Sequence, residues 1–249
     1  TEGNLNNHIG VPLTLLSIKT NTEMAVVEMG ANHQGEIAAL CEIAAPDWGY
    51  ITNFGKAHLE GFGGIDGVIK GKTELYQYLM KHNKKILVHA DDSLQEQAIG
   101  NYSAIRFGSN NKYDHVIRYE KETTDGLCIT YQKTRICSSL YGAYNLQNIA
   151  AAVALGAQFK IPLPKINQAI ANFQSHSNRS QQLQKGKYHF ILDAYTVGAP
   201  NAFKFVANAV AVGVVHAVAV AINRRGGVCA GSVFHRGKRV EIARHSIGA

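Results

Sequence analysis

Residues 24–36, Met-Ala-Val-Val-Glu-Met-Gly-Ala-Asn-His-Gln-Gly-Glu, constrain the fold more tightly than any other stretch of this chain. An apolar run, Ala25 to Val27, stops abruptly at a carboxylate, Glu28, and a glycine and polar turn then lead into a segment with helical spacing from Glu36. A buried parallel strand reads this way. It is apolar along its length because helices cover both faces, and it delivers its last side chain to the carboxyl edge of the sheet, where open α/β sheets put their ligands. A carboxylate at that place needs a partner, and a metal or another cation is the most economical one.

The same design recurs. Gly49-Tyr-Ile-Thr-Asn-Phe-Gly55 is a second short apolar strand ending in polar residues and a glycine, and the turn after it carries Lys56, His58 and Glu60. A helix expected over 65–80 contains Lys70, Lys72 and Glu74, and a strand over 85–89 ends in Asp91 and Asp92. Strand, helix and strand alternating at these distances predict an α/β fold with a mostly parallel sheet and crossover helices. Short alternating runs at 104–107, 115–119, 126–131 and 135–140 predict an antiparallel hairpin subregion attached to that sheet. An alanine-rich helix should follow from Asn145 to about 159, a second from 164 to 173, and a last strand over 188–192 ending in Asp193. The opening, residues 1–12, is rich in Asn and Gly and reads as a loop that feeds a short helix.

The net charge of +7 invites a nucleic-acid reading, but its distribution argues against one. Residues 1–200 hold 18 basic and 17 acidic side chains, whereas residues 201–249 hold seven basic and one acidic. The body is near neutral and only the tail is basic. Cys41, Cys128, Cys137 and Cys229 lie far apart without a C-x-x-C pair, which suggests neither a zinc site nor a disulfide framework, and a reducing cytoplasm is the simplest setting. The chain starts at Thr1 with no signal-peptide layout and is expected to be a fragment.

Composition breaks after Tyr195. Residues 1–195 contain 17 leucines and residues 196–249 none, while the Lys to Arg ratio inverts from 14:4 to 2:5. The apolar run 205–222 is interrupted by Asn208, Gly213 and His216 and falls short of the roughly 20 residues of a membrane-spanning helix. The alternatives are an ordinary helix plus strand of a further domain, or a tail foreign to the body and poorly folded. The last is the expectation, with residues 1–195 as one domain and residues 196–249 as the atypical segment.

Taken singly, Glu28 could cap the following helix, His58 could be a turn residue bonded to a carbonyl, and Lys72 could be a solvated helix lysine. Jointly, an acid and an imidazole at the ends of two adjacent strands, with Lys72 and Glu74 on the next helix, suit a shared site for a hard divalent cation handling phosphates.

Four ordered motifs carry a resemblance: the opening Thr1-Glu-Gly-Asn-Leu-Asn-Asn-His-Ile-Gly-Val-Pro, Glu28-Met-Gly-Ala-Asn-His-Gln-Gly-Glu-Ile, Thr52-Asn-Phe-Gly-Lys-Ala-His-Leu-Glu-Gly-Phe-Gly and Gly71-Lys-Thr-Glu-Leu. Together they resemble the central domain of the Mur ligases over residues 1–195, in the branch that joins D-alanyl-D-alanine to a UDP-muramoyl-tripeptide. The resemblance implies ATP-dependent amide formation, with ATP and Mg²⁺ as cofactors. In that reaction a peptide carboxylate is phosphorylated and an amine attacks the acyl phosphate. It implies Glu28, His58 and Lys72 as metal-holding and catalytic residues, Lys72 as a carbamate. Asn145 and Asn148 would recognise adenine, Arg179 a phosphate and Asp193 the ribose, while Asn4, Asn6 and Asn7 would meet the muramoyl substrate. For the two Asn residues of the alanine-rich helix, a helix cap is the plain alternative. A cytoplasmic monomer with no nucleic-acid partner and no stable membrane insertion is expected.

Two features depart from the family pattern. No G-x-x-x-x-G-K-[ST] phosphate loop occurs in the 249 residues, and the likeness is lost after Tyr195. The chain alone is therefore expected not to turn over. A non-catalytic nucleotide or metal-binding module, or a sister ligase of the folylpolyglutamate type, stand as alternatives.

Overall fold

The computed structural model describes residues 1, 4–55, 58–120 and 126–174, and beyond them the backbone of strands within 181–240. In chain order the elements are α1 (Gly10–Leu16), β1 (Val27–Glu28), α2 (Glu36–Ala44), β2 (Trp48–Tyr50), α3 (Leu59–Phe62), α4 (Ile65–Lys81), β3 (Lys85–His89), α5 (Ser93–Ile99), β4 (Ile105–Gly108), β5 (His115–Tyr119), β6 (Leu127–Tyr131), β7 (Thr134–Ser138), α6 (Tyr144–Gln158), α7 (Leu163–Ala171), β8 (Gln181–Lys185), β9 (Tyr188–Leu192), β10 (Ala202–Phe205), β11 (Val212–Val214), β12 (Val218–Ala219), β13 (Val233–His235) and β14 (Lys238–Val240). Eight strands form one sheet in the order β1-β12-β2-β3-β4-β5-β6-β7, parallel from β2 to β5. The expected α/β sheet with crossover helices is the observed architecture.

Its layers follow from strand alternation. On β3, Leu87 faces a core with Tyr50, Phe107, Ile117 and the alanine-rich side of α6, while Ile86 and Val88 face a second core with Val27, Ile51, Leu75 and Leu79. Burying each such side chain fully contributes about 1.5–3 kcal/mol. α4 can approach β2 closely because Gly49 has no side chain: a Cβ there would lie 2.4 Å from Leu79 Cδ1.

Three expectations need correction. The hairpin subregion is smaller than the sequence pattern suggests, because β3–β4 and β4–β5 are parallel and only β5–β6–β7 is antiparallel. Two aspartates hold the return from β4 to β5: Asp91 Oδ2 accepts the Ser109 N–H at 2.7 Å and Asp114 Oδ2 accepts the Arg106 N–H at 2.8 Å. The second strand is also shorter than expected, since the Ile51 N–H donates to Tyr76 Oη instead of to a neighbouring strand.

The third correction concerns cysteine. Cys128 and Cys137 face each other across β6–β7 and are disulfide-bonded, with Cα atoms 4.1 Å apart. A two-residue reversal at Gln132 and Lys133, both with positive φ, sets the register that brings them together. Cysteine spacing does not encode that register.

In the tail only the five short strands β10–β14 are described, and β12 lies antiparallel between β1 and β2. The rest of residues 196–249 lies outside the described residues. Among the described residues, no helix is long and apolar enough to cross a membrane.

Candidate active site

Glu28 ends β1 and is 6% exposed. The opening loop folds back over this strand end: Asn6 Nδ2 donates to Glu28 Oε1 at 2.7 Å, the Glu28 N–H donates to Thr1 Oγ1 at 2.8 Å, and the Gly30 N–H donates to the Asn6 carbonyl at 2.7 Å. A Cβ on Gly30 would meet the Asn6 amide at 2.8 Å and push that side chain off its present position. Glu28 is not the cap of α2. Glu36 accepts the Asn32 N–H at 2.7 Å, and Glu74 reaches across from α4 to accept the N–H groups of Gly35 (2.5 Å) and Ala38 (2.9 Å). A carboxylate against a helix N-terminus complements its dipole.

Of the three opening-loop asparagines, Asn7 is committed locally. Its Oδ1 accepts the N–H groups of Ile9 and Gly10, both at 3.0 Å, and so caps the start of α1. Asn4 is exposed and its carbonyl accepts the Asn6 N–H at 2.8 Å.

Lys72 sits on the inner face of α4 at 4% exposure, not on a solvated face. Its Nζ donates to the Asn53 carbonyl at 2.7 Å, in the connection that leads from β2 to His58. Burial pushes the ammonium down to about 8 from its ordinary 10.5, because a charge loses its hydration there. A lysine so placed holds a larger share of neutral amine near neutral pH than a solvated one, and the neutral amine is the form that adds to carbon dioxide. His58 occupies the N-cap of α3 in the left-handed region, φ +55, at an exposed position.

The segments bearing these three residues are interlocked. Gln34 Nε2 donates to the Phe62 carbonyl at 3.5 Å, a Cβ on Gly61 would lie 2.4 Å from the Asn32 carbonyl, and a Cβ on Gly67 would lie 1.8 Å from the Phe62 carbonyl. Gly61 and Gly67 are what let the β1–α2 turn, α3 and α4 pack backbone to backbone.

Among the described residues no three His, Cys, Asp or Glu side chains form a metal cluster. The donor set nevertheless fits Mg²⁺, which is held by one or two protein carboxylates with phosphate and water completing its shell. Glu28 supplies a buried carboxylate with one oxygen fixed by Asn6, and a carbamate on Lys72 would supply a second. Thr52, 2% exposed at the end of β2, has a hydroxyl with no hydrogen-bond partner, a further polar atom at the same sheet edge.

The other predicted group lies at the start of α6. Asn145 is 2% exposed, and its Nδ2 donates to the Tyr141 carbonyl at 2.7 Å. Asn148 Nδ2 donates to Asn145 Oδ1 at 3.1 Å. Neither is the cap, since that position is Ala143, which offers no side-chain bond. Arg179 and Asp193 lie outside the described residues.

Sequence reasoning missed Asn53, whose carbonyl anchors Lys72, and the helix-holding role of Glu74. A carbonyl contact leaves no signal in residue type. Glu74 was visible in the Lys-x-Glu motif, but its target 39 residues away was not.

The model of the Mur ligase middle domain matches residues 1–156. The chain belongs to the Mur ligase family. Among the members with curated descriptions, UDP-N-acetylmuramoyl-tripeptide–D-alanyl-D-alanine ligase of Escherichia coli is 36% identical over 201 residues, covering 78% of this chain and 44% of the relative. The Bacillus subtilis protein of the same description is 33% identical over 163 residues, 65% of this chain and 35% of the relative. Among solved structures, MurF from Acinetobacter baumannii superposes with a TM-score of 0.67 at 31% identity, covering 78% of this chain and 44% of that one. MurF ligase from Thermotoga maritima in complex with ADP gives 0.65 at 26% identity, covering 80% and 47%. This Mur ligase chain thus spans less than half the length of the relatives it matches.

Proposed function

We propose that this chain is the central part of an ATP-dependent amide ligase that joins D-alanyl-D-alanine to UDP-N-acetylmuramoyl-tripeptide in cytoplasmic peptidoglycan precursor synthesis. The observation that carries the reading is the joint geometry of two motif residues: buried Glu28 clamped by Asn6, and Lys72 held out of water with a depressed affinity for its proton. Glu28, His58 and carbamylated Lys72 hold Mg²⁺, which when bound neutralises charge on the transferring phosphoryl group.

The chain's own residues do the rest of this corner's work. Asn6 orients the Glu28 carboxylate, the Asn53 carbonyl orients Lys72, and Glu74 fixes the start of α2 so that the β1–α2 turn keeps its place. Asn145 and Asn148 present amides to adenine, Arg179 meets a phosphate and Asp193 the ribose. Asn4 and Asn6 face the muramoyl substrate, with Asn7 shaping that loop through its cap on α1. The near-neutral charge balance of residues 1–200 supports small-molecule substrates rather than nucleic acid, and we assign the chain as a monomer. The 249 residues hold no glycine-rich phosphate loop, and the chain by itself does not turn over.

Titration calorimetry of Mg·ATP into the wild-type chain and Glu28→Ala tests the reading. The variant should bind at least about tenfold more weakly, in line with the loss of a metal contact. Equal affinities would remove Glu28 from the site, and steady ATP-dependent ligation by the purified chain would overturn the inactive state. A retained nucleotide-binding module without catalysis is the second reading. It is distinguished by Mg·ATP binding that stays productless when D-alanyl-D-alanine and UDP-muramoyl-tripeptide are supplied to the chain fused to a glycine-rich phosphate loop.

A further inference from the structure

The β6–β7 hairpin lies at the opposite edge of the eight-stranded sheet from Glu28. β6 and β7 pair residue by residue from Leu127↔Ser138 to Tyr131↔Thr134, which sets Cys128 against Cys137. Leu127, Ile129, Tyr131 and Ile136 belong to the core under α6, so alternation turns Cys128 and Cys137 to the other face, with Thr130 and Arg135. Cys137 is half-buried and Cys128 is buried.

The turn that sets this register resists it. Gln132 and Lys133 hold φ at +47 and +63, in the left-handed region that L side chains disfavour and that hairpin turns usually fill with glycine or asparagine. A cross-strand link therefore offsets a cost that the turn residues impose. Cys41 offers no competing thiol, since it is fully buried with its proton affinity pushed up to about 12.

We propose that Cys128 and Cys137 are a reversible thiol–disulfide couple that locks the β6–β7 hairpin on reaction with a small-molecule disulfide and releases it on reduction. The more accessible Cys137 thiolate attacks one sulfur of the small disulfide and expels one thiolate. Cys128 then attacks Cys137 Sγ and expels the second. Two electrons pass from the protein to the small disulfide, and the two protons from the cysteines end on the two small thiols.

The test equilibrates the purified chain in glutathione buffers from fully reduced to fully oxidised, followed by acid quench, alkylation and peptide mapping. Melting temperature and hydrogen exchange of residues 126–139 are measured in parallel. Cys128 and Cys137 should become protected together as one linked pair, in a single transition that reverses with reductant. The oxidised chain should melt about 5 °C higher, and its hairpin amides should exchange about tenfold more slowly. Cys137→Ser should keep Cys128 alkylatable under all conditions and abolish the redox dependence of melting. The proposal is overturned if both cysteines stay alkylatable at the oxidised end, if they form only mixed disulfides with glutathione or a link to Cys229, or if the pair stays linked at the reduced end.

Discussion

At the Glu28 corner the functional side chains are held by partners far along the chain, whereas at the start of α6 they hold one another. Asn6 reaches Glu28 across 22 residues, Asn53 holds Lys72 across 19, and Glu74 grips the start of α2 across 39. Asn145, by contrast, is bonded to Tyr141 four residues back and to Asn148 three residues on. The first arrangement exists only when the α/β layers have closed. The second includes bonds within one helical turn, next to Gly142, whose φ of +86 lets the chain enter α6. Damage to packing between the β1–α2 turn and α4 should therefore disturb the Glu28 corner before the Asn145 bonds at the start of α6.

The most severe way to break that contrast is Gly67→Ala. Its Cβ would press into the Phe62 carbonyl, which is backbone and cannot swing away. Denaturant unfolding should show a loss of about 3 kcal/mol, and Mg·ATP affinity should fall with it although no proposed ligand is altered. Unchanged stability would mean that α3 and α4 are not packed as described.

A smaller effect is expected from Asn6→Ala, which deletes the amide that donates to the buried Glu28 carboxylate. Hydrogen bonds to charged groups contribute about 1.5–3 kcal/mol, so a loss near 2 kcal/mol is expected, together with a weaker response of melting temperature to added Mg²⁺. A variant as stable as wild type would show that Glu28 needs no clamp.

Asn145→Ala should cost least, about 1 kcal/mol, because it deletes the short-range bonds to Tyr141 and Asn148. Hydrogen exchange should quicken at the first turn of α6 and nowhere near Glu28. Spread of the effect to α2 or α4 would erase the distinction between the two corners.

Much of the Glu28 corner was legible in residue order. An apolar run halted by Glu28, a second strand leading to His58 and an amphipathic helix bearing Lys72 each carry their signal locally, and the parallel sheet follows from their alternation. The pattern could not say that Lys72 is buried, since the same helix period suits a solvated lysine until β2 and α4 pack through Gly49. β4 reads as a hairpin strand because its alternation is the same in either direction. In the structure β4 pairs parallel with both β3 and β5, and the carboxylates of Asp91 and Asp114 accept the Ser109 and Arg106 N–H groups around the β4–β5 return.

By itself, then, the sequence determined the α/β class, the strand end that presents Glu28, and the family to which the motifs belong, because apolar periodicity and motif order are properties of neighbouring residues. Tertiary structure alone decided which partner each polar group found: Asn6 for Glu28, the Asn53 carbonyl for Lys72, the α2 N-terminus for Glu74 and Cys137 for Cys128. Burial removes water as an alternative partner, and only the closed fold brings the replacements within hydrogen-bonding or bonding distance.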